Sequence, residues 1–244
     1  MFADQSPSII TLDSSSLRLL PNHTCKIING LIKDHINQNL ITKYDIFNAL
    51  LYSIALEVGF IQNCDQFGSI AAYSLNSSYS VDRHILVDFA QMTEYKCGNL
   101  YNKFEFNFIN KLDSKCLVVT VECGDMVLIT SHNLINNSIK GGYSTTICIS
   151  RHVISRIDNS NLAKSFRNLR ELSIVLKNLI FLPLRNEIYQ EMACINPSLL
   201  GLPGSTIRFV LQFLNKKDLI SLSYVCKKIR EICVSYKIYN KNKN

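Results

Sequence analysis

The most restrictive feature of the sequence is a series of strand-like segments in its middle part that are joined by short links. These segments span residues 103–109, 116–121, 126–130 and 143–149. The first alternates apolar and polar residues and places Phe104, Phe106 and Phe108 on one face, which is the period of a half-buried strand. Residues 122–125 form a link short enough for a tight hairpin. Because the links leave no room for crossover helices, the sequence predicts an antiparallel meander.

Helical periodicity flanks the predicted sheet on both sides. Helices are predicted over residues 26–40, 44–58, 162–179 and 184–193. Asp45 lies in the first turn of the second helix, and Gly59 suits its left-handed cap. Pro183 is expected to end the helix that precedes it. Residues 62–82 indicate a long polar loop, and residues 86–89 an edge strand. The sequence therefore predicts an α+β domain with helices on one face of an antiparallel sheet.

The C-terminal part of the chain carries three short apolar stripes at helical spacing. The stripes contain Ile207, Val210, Leu211 and Leu214, then Leu219, Leu222, Val225 and Cys226, then Ile229, Ile232, Cys233 and Tyr236. Pro203 and Gly204 mark the entry to the first helix. Ser205 or Thr206 is expected to cap that helix, and Asp218 the second one. Three helices of this size cannot bury so much apolar surface alone, so completion by the rest of the chain or by a partner is expected.

The order and spacing of these residues resemble an F-box. The matching pieces are Leu202-Pro203, the apolar positions of the first helix, Asp218-Leu219 and Val225-Cys226-Lys227. The tryptophan that follows in the family has no counterpart, since the chain contains no Trp. The resemblance implies docking on a Skp-type adaptor and, through it, on a cullin. The implied adaptor-binding residues are Leu202, Pro203, Ile207, Val210, Leu211, Leu214, Leu219, Leu222, Val225 and Cys226.

The α+β part resembles an FP domain. The early helix with Phe47 to Ile61, the aromatic strand at 101–108, the hairpin at 117–129 and the helix from Phe166 follow in that domain's order. An FP domain directly followed by an F-box resembles the family of F-box only protein seven and nutcracker. The predicted organisation is an arm at 1–25, an FP-type protein-interaction domain at 26–195, an F-box at 197–238 and a basic polar tail at 239–244.

The FP resemblance implies two kinds of partner for this domain. One is an FP-type proteasome inhibitor or regulator, and the other is a second copy of the chain in a homodimer. Pairing is expected through the sheet edge or the outer helices, because an open edge leaves unpaired N–H and C=O groups. The candidate pairing residues are Phe104, Phe106, Phe108, Leu162, Phe166 and Leu169. The sequence does not choose between the strand and the helix, and packing in the core is the better explanation for the three Phe.

Composition and charge narrow the classes of partner. Hydrophobic residues make up 47% of the chain and charged residues 18%, which describes a folded soluble protein. The net charge of +7 belongs to residues 197–244, which hold nine Lys/Arg and two Asp/Glu. This basic segment indicates a solvated helix face, whose charge would attract an acidic adaptor. It lacks the aromatic residues interleaved with basic ones that are typical of a nucleic-acid-binding surface. No run reaches the roughly 18 apolar residues of a membrane span.

The cysteines and histidines do not form a known chemical motif. The nine Cys show no short-range pairing, which predicts reduced thiols and a cytoplasmic or nuclear protein. Metal-binding spacings of Cys and His do not occur, so neither a metal nor a cofactor is predicted. Folding could bring a Cys/His pair such as Cys123 and His132 together as a dyad, although packing is the better explanation. Gly141-Gly142 is expected to form a turn rather than a phosphate-binding loop.

These observations favour a non-catalytic substrate-recognition subunit of an SCF-type (Skp–cullin–F-box) ubiquitin ligase. The FP-type domain would bind a proteasome regulator or form a dimer. The alternative is a scaffold that regulates the proteasome through FP–FP pairing without ubiquitin transfer. A small hydrolase is a distant third hypothesis. The sequence names neither the degraded substrate nor the FP surface that pairs.

Overall fold

In the computed structural model, the chain divides into two compact units, Met1–Ile188 and Tyr189–Asn244, here called the N-terminal and C-terminal units. The predicted boundary at residue 196 falls slightly later in the chain than this division. The structure describes residues 11–15, 19–35, 41–62, 87, 89–90, 92, 95, 97–109, 111–135, 138–154, 162–191, 202, 204–225 and 227–241. The predicted loop at 62–82 lies almost entirely outside the described residues.

The N-terminal unit is built on a five-stranded antiparallel sheet with the strand order β1-β2-β3-β4-β5. Its strands are β1 (Phe60–Ile61), β2 (Tyr101–Phe108), β3 (Lys111–Cys123), β4 (Met126–Ile135) and β5 (Ser138–Cys148). Cys123 pairs with Met126, so the β3–β4 turn consists of two residues, with Gly124 at a φ of 66°. Both the predicted meander and its tight hairpin are therefore confirmed.

The described helices of this unit are α1 (Asn22–His35), α2 (Lys43–Val58), α3 (Leu169–Leu176) and α4 (Leu182–Glu191), with a π-helical turn at Lys177–Phe181 between the last two. Short 3₁₀ turns lie at Leu12–Ser14, Ile149–Arg151 and Leu162–Ser165. The first helix begins four residues before the predicted start at Lys26, directly after Pro21. The helices lie against one face of the sheet, as the α+β interpretation predicts.

Helix α2 forms the centre of the N-terminal unit. Its side chains from Tyr44 to Leu56 are all buried, because apolar residues lie on every side of the helix rather than along one stripe. The polar residues in this range, Asp45, Asn48 and Ser53, are hydrogen-bonded. Tyr52 stacks on Phe106 with ring centroids 5.8 Å apart, and the Tyr44 hydroxyl donates to the carbonyl of Thr120 at 2.9 Å. The helix thus lies between the sheet and the helices α1 and α3. Gly59 caps it at a φ of 100°, as predicted.

Three sequence predictions for the helices and strands are wrong. Pro183 does not end a helix, since the π turn before it shifts the hydrogen-bond ladder and the Leu182 N–H reaches the carbonyl of Lys177. The helix predicted from Leu162 begins only at Leu169, because Phe166 forms a β-bridge with Val153 and Asn168 is left-handed at a φ of 49°. Val87 is helical and Phe89 lies in a turn, so the described residues of 86–89 do not form a strand.

The Gly141-Gly142 pair lies inside β5 rather than in a turn, which corrects a further expectation. Ser131 pairs with Tyr143 and Asn133 with Lys140, so His132 opposes both glycines across a β-bulge. A Cβ atom on Gly142 would lie 2.9 Å from Cε1 of His132. The second glycine therefore accommodates a ring from the neighbouring strand.

Candidate functional site

The C-terminal unit contains three helices around a small apolar core. They are α5 (Gly204–Leu211), α6 (Lys216–Ser223) and α7 (Lys227–Lys241). The core contains Ile207, Leu211, Leu219, Ile229 and Cys233, with Leu214, Leu222 and Ile232 partly buried against it. Asn215 caps α6 by accepting a hydrogen bond from the N–H of Asp218 at 2.9 Å. The predicted cap Asp218 lies one turn inside the helix, and Ser205 and Thr206 likewise lie inside α5.

The predicted adaptor-binding residues divide into an internal and an external set. Ile207, Leu211 and Leu219 are buried between the three helices, and Leu214 and Leu222 pack partly against them. Leu202, Val210 and Val225 are exposed. Pro203 and Cys226 lie outside the described residues. A partner can therefore contact the external set directly, whereas the internal set maintains the fold of the unit.

Several large apolar residues of the C-terminal unit that the sequence analysis did not single out are exposed. Phe213 is 74% exposed and Tyr224 73%, and Phe209 and Ile220 are also exposed. The Phe209 and Phe213 rings lie one helical turn apart and meet edge to face, with centroids 5.2 Å apart. Their sequence signal was available: they are large apolar residues outside the stripe that the core requires. Exposed aromatic residues that touch each other are typical of a binding surface.

Exposed basic side chains outnumber acidic ones on the same three helices. Among the residues with described side chains, Arg208, Lys216, Lys217, Lys227 and Arg230 are exposed on the three helices. Asp218 and Glu231 are the exposed acidic residues of the same helices. A surface of this composition attracts an acidic partner and favours fast association.

The candidate pairing residues of the N-terminal unit lie in its interior or its folded segments instead. Phe104, Phe106 and Phe108 are at most 2% exposed and stack against one another, Tyr52 and Phe60. Phe166 is buried at the bridge to Val153, Leu169 is buried at the start of α3, and Leu162 lies in a 3₁₀ turn. They therefore share neither a helix nor an open surface, which corrects the expectation that these residues present themselves to a partner.

The opposite side of the sheet, here called the outer face, carries both apolar and polar side chains. One cross-strand row contains Tyr101, Val121, Leu128 and Thr146. Tyr101, Met126 and Leu128 are exposed, and Leu117, Val119, Val121 and Leu134 are half-buried. The exposed polar side chains of the same face include Lys103, Glu105, Lys115 and Ser144. The apolar side chains form a candidate contact surface.

The structure places no catalytic dyad at the positions that the sequence suggested. Cys123 pairs with Met126 at the hairpin turn, whereas His132 pairs with Leu117 six residues further along β4. Burial, together with the neighbouring carboxylate of Asp45, raises the pKa of the Cys97 thiol to about 12, so it is not a nucleophile at neutral pH. Within the part of the chain that the structure describes, no three His, Cys, Asp or Glu side chains lie close enough to hold a metal ion.

The buried polar network around Asp45 has a structural role. Its carboxylate accepts hydrogen bonds from the Tyr95 hydroxyl at 2.8 Å and from the N–H of Gly98 at 3.2 Å. Asn48 continues the network by donating to Tyr95 and accepting from Thr120. Burial and the Asp45 charge raise the pKa of Tyr95, which keeps this hydroxyl a neutral donor. The network fastens the segment before β2 and the strand β3 to α2.

Comparison with known proteins identifies the class to which the C-terminal unit belongs. Residues 199–241 match the F-box domain family, and the three helices and their core fall within this range. The chain therefore contains an F-box domain, and the interpretation made from Leu202-Pro203 and Val225-Cys226-Lys227 is confirmed.

The similarity extends to a particular protein over most of the chain. The chain is 24% identical to Protein nutcracker of Drosophila melanogaster over 244 aligned positions, which cover 88% of this chain and 72% of the relative. The resemblance to nutcracker-type F-box proteins is thereby confirmed. Together, the F-box domain and this relative support a substrate-recognition subunit of an SCF-type ubiquitin ligase. Among the described residues, no helix is long and apolar enough to cross a bilayer.

Proposed function

We propose that the chain is a non-catalytic receptor that holds a substrate in an SCF-type ubiquitin ligase. The observation that carries this proposal is the F-box unit, whose core leaves a pair of touching aromatic rings and several basic residues exposed. Such a unit contributes binding and not chemistry. Docking on a Skp-type adaptor, and through it on a cullin, brings a substrate lysine close to charged ubiquitin and raises its effective concentration.

We assign direct adaptor contact to the external set Leu202, Val210 and Val225, together with Phe209, Phe213 and Tyr224. Aromatic residues that become buried at the centre of an interface carry much of its binding free energy. The exposed basic side chains of the three helices complement an acidic adaptor and mainly accelerate its association. Reduced thiols agree with the cytoplasmic or nuclear location that we propose, and the six Cys whose state the structure describes do not form disulfides.

The sharpest test of adaptor docking replaces Phe213 by Ala in the full chain. Phe213 contributes little to the internal core, so the variant stays folded, whereas adaptor binding weakens by about 2 kcal/mol, roughly 30-fold in Kd. Titration calorimetry with purified Skp-type adaptor measures the change. Tyr101→Ala is the matched control, because it removes an aromatic ring of similar exposure from the other unit. Equal affinities for the Phe213→Ala and Tyr101→Ala chains would contradict the assignment.

A second test removes the entry to the F-box. Replacing Leu202 and Pro203 together by Ala is expected to abolish co-purification of the adaptor while the N-terminal unit keeps its unfolding transition. Unchanged adaptor recovery would argue against the ligase function altogether.

We further propose that the N-terminal unit is an FP domain that binds an FP-type proteasome regulator or a second copy of the chain. The outer face supports this part of the proposal, since its apolar side chains Tyr101, Met126 and Leu128 are exposed and available for contact. The alternative function, a scaffold that regulates the proteasome by such pairing without ubiquitin transfer, uses the same face. Pull-down with mass spectrometry separates the two: the ligase receptor recovers cullin and adaptor, and the scaffold recovers only the proteasome regulator.

A further inference from the structure

The segment at residues 11–15, here called the N-terminal turn, is a self-contained piece of structure. Leu12–Ser14 form one 3₁₀ turn, and the backbone N–H and hydroxyl of Ser15 both bond to the carbonyl of Leu12, at 3.3 and 2.7 Å. The turn closes on itself and does not extend the sheet or a helix.

The turn is nevertheless anchored by a deeply buried side chain. Leu12 is 0% exposed, although it belongs to a single turn, and the turn packs against α3. Complete burial of one Leu side chain is what an anchor residue achieves in peptide recognition. The space in the N-terminal unit that encloses the Leu12 side chain is here called the pocket.

Two polar contacts fix the turn next to this pocket. The N–H of Leu12 donates to Oε1 of Glu57 at 2.8 Å, and Oδ2 of Asp13 lies 2.6 Å from Nζ of Lys177. Glu57 comes from the last turn of α2, and Lys177 opens the π turn after α3. Glu57, Lys177 and the pocket form a site that is here called the groove. It binds a backbone N–H at one position of the turn and a carboxylate at the next.

The groups that read the turn are held in place by one another. Oε2 of Glu57 lies 2.7 Å from Nζ of Lys177, and Nε2 of His23 lies 3.1 Å from Oε1 of Glu57. These contacts do not involve the turn, so the groove keeps its charges in position when the turn leaves. Preorganised polar groups of this kind lower the entropy lost on binding. The π turn that presents Lys177 is a helix irregularity frequently found at functional sites.

We infer that this groove is a recognition site for short acidic peptides that carry Leu followed by Asp, and that residues 11–15 occupy it within the chain. A partner peptide must supply an apolar side chain for the pocket, a free N–H on that residue and a carboxylate one position later. The N-terminal turn blocks the groove within the same chain. Because it is tethered, it competes with a partner peptide at an effective concentration in the millimolar range. A partner binds when it displaces the turn.

The experiment measures binding of a fluorescently labelled peptide of residues 8–17 to the full chain by anisotropy. The test chain carries Leu12→Ala with Asp13→Asn, which weakens the internal occupant and leaves Glu57, His23 and Lys177 intact. The peptide is expected to bind this chain at least about tenfold more tightly than the wild type, because the competing turn no longer fills the site. Circular dichroism confirms that both chains are folded.

Changes in the peptide provide controls that leave the protein untouched. A peptide with Leu12→Ala, or one with Asp13→Lys, is expected to lose at least about tenfold in affinity for the test chain. Lys177→Met in the test chain removes the partner of Asp13 and is expected to weaken peptide binding at least about tenfold. Lys164→Met is its matched control, since Lys164 is exposed elsewhere in the unit, and it should leave the affinity unchanged. Asp13→Asn alone keeps the Leu12 anchor and gives the same comparison if the double variant loses its fold. Absence of binding to the folded test chain, or equal binding of the altered peptides, would overturn the inference.

Discussion

At the scale of single residues, the most exacting position is Gly142, which faces the His132 ring within the sheet. An added methyl group would lie 2.9 Å from the ring, closer than ordinary van der Waals contact. Gly142→Ala is therefore expected to destabilise the N-terminal unit by about 1–2 kcal/mol, as overpacking does. Urea unfolding at an unchanged m-value measures the effect.

A second glycine provides the opposite case. A Cβ on Gly30, inside α1, would meet nothing within 4 Å. Gly30→Ala is expected to stabilise the folded chain by about 0.4–1 kcal/mol, because it lowers the entropy of the unfolded chain.

In the double variant His132→Ala/Gly142→Ala, the cost at position 142 should largely disappear. Additive effects in that cycle would show that the ring does not cause the strain.

His152 gives a prediction for pH. Burial holds the pKa of its imidazole below the ordinary value of 6.5, and the backbone groups of Arg167 and the Glu171 carboxylate oppose this only in part. As the pH falls through 6.5, the unfolded chain takes up a proton before the native chain does, so stability is lost from there down to the native pKa. His152→Gln cannot titrate and is expected to lose less stability between pH 7.5 and 5.5. Parallel pH profiles of variant and wild type would contradict this cause.

Sequence patterns predicted single residues where the deciding contact is local. The alternation that places Phe104, Phe106 and Phe108 on one face is a property of the strand itself, and all three are buried. The glycine pair at 141–142 was misinterpreted because its reason is His132, which becomes a neighbour only when β4 and β5 pair. The sequence does not contain that contact in any local form.

At the scale of elements, α2 begins with a reciprocal capping box. The Thr42 hydroxyl accepts from the N–H of Asp45 at 3.1 Å, and Asp45 Oδ2 accepts from the N–H of Thr42 at 2.8 Å. Thr42→Ala removes one half of the box and is expected to lower stability by about 1 kcal/mol.

Thr42→Ser is the control for this prediction, since it retains the hydroxyl and should stay within a few tenths of a kcal/mol of the wild type. Chemical denaturation of the three chains under identical conditions gives the comparison. Equal midpoints for the Ala and Ser variants would mean that Asp45 holds the helix start without the Thr42 side chain.

Elements with strong local signals were predicted correctly, and those set by long-range pairing were not. Helix α2 and the β3–β4 hairpin follow from apolar periodicity, a glycine cap and a two-residue turn. The stretch from Leu162 to Leu169 has helical spacing as well, but its backbone pairs with residues 152–154. Helix periodicity cannot reveal that competing hydrogen bonds are available elsewhere in the chain.

At the scale of the whole molecule, the exposed apolar side chains of the outer face lead to a prediction about dimerisation of the chain. If this face mediates FP pairing, the full chain is expected to dimerise at tens of micromolar, and Leu128→Asp should shift it to monomer. The reason is that a charge buried at the centre of an apolar contact is left without a partner. Sedimentation velocity with and without an FP-type partner measures both states.

Phe213→Ala is the matched control for this experiment, because it removes exposed apolar surface from the other unit. A dimer that persists with Leu128→Asp would exclude the outer face as the contact. A chain that is monomeric under all conditions would leave the F-box as its supported interaction site.

The sequence located the F-box, but it did not separate the core residues of this unit from its exposed ones. The motif order around Leu202, Leu219 and Val225 was sufficient to find the F-box. The apolar residues that face outward are those left over once the three helices pack against each other, and this packing is not visible in the sequence. Phe209 and Phe213 became apparent only after Ile207 and Leu211 were seen to complete the internal core.

The exposed rings of Phe209 and Phe213, at the end of α5 and directly after it, have a consequence for the lifetime of the free protein. A subunit that keeps Phe213 three-quarters exposed is shielded only while a partner covers that ring. Copies made in excess of the adaptor display an apolar patch to chaperones and proteases, which act on such surfaces continuously. We therefore expect the steady-state amount of this chain to follow the supply of its adaptor, so that the same aromatic pair sets both docking and abundance.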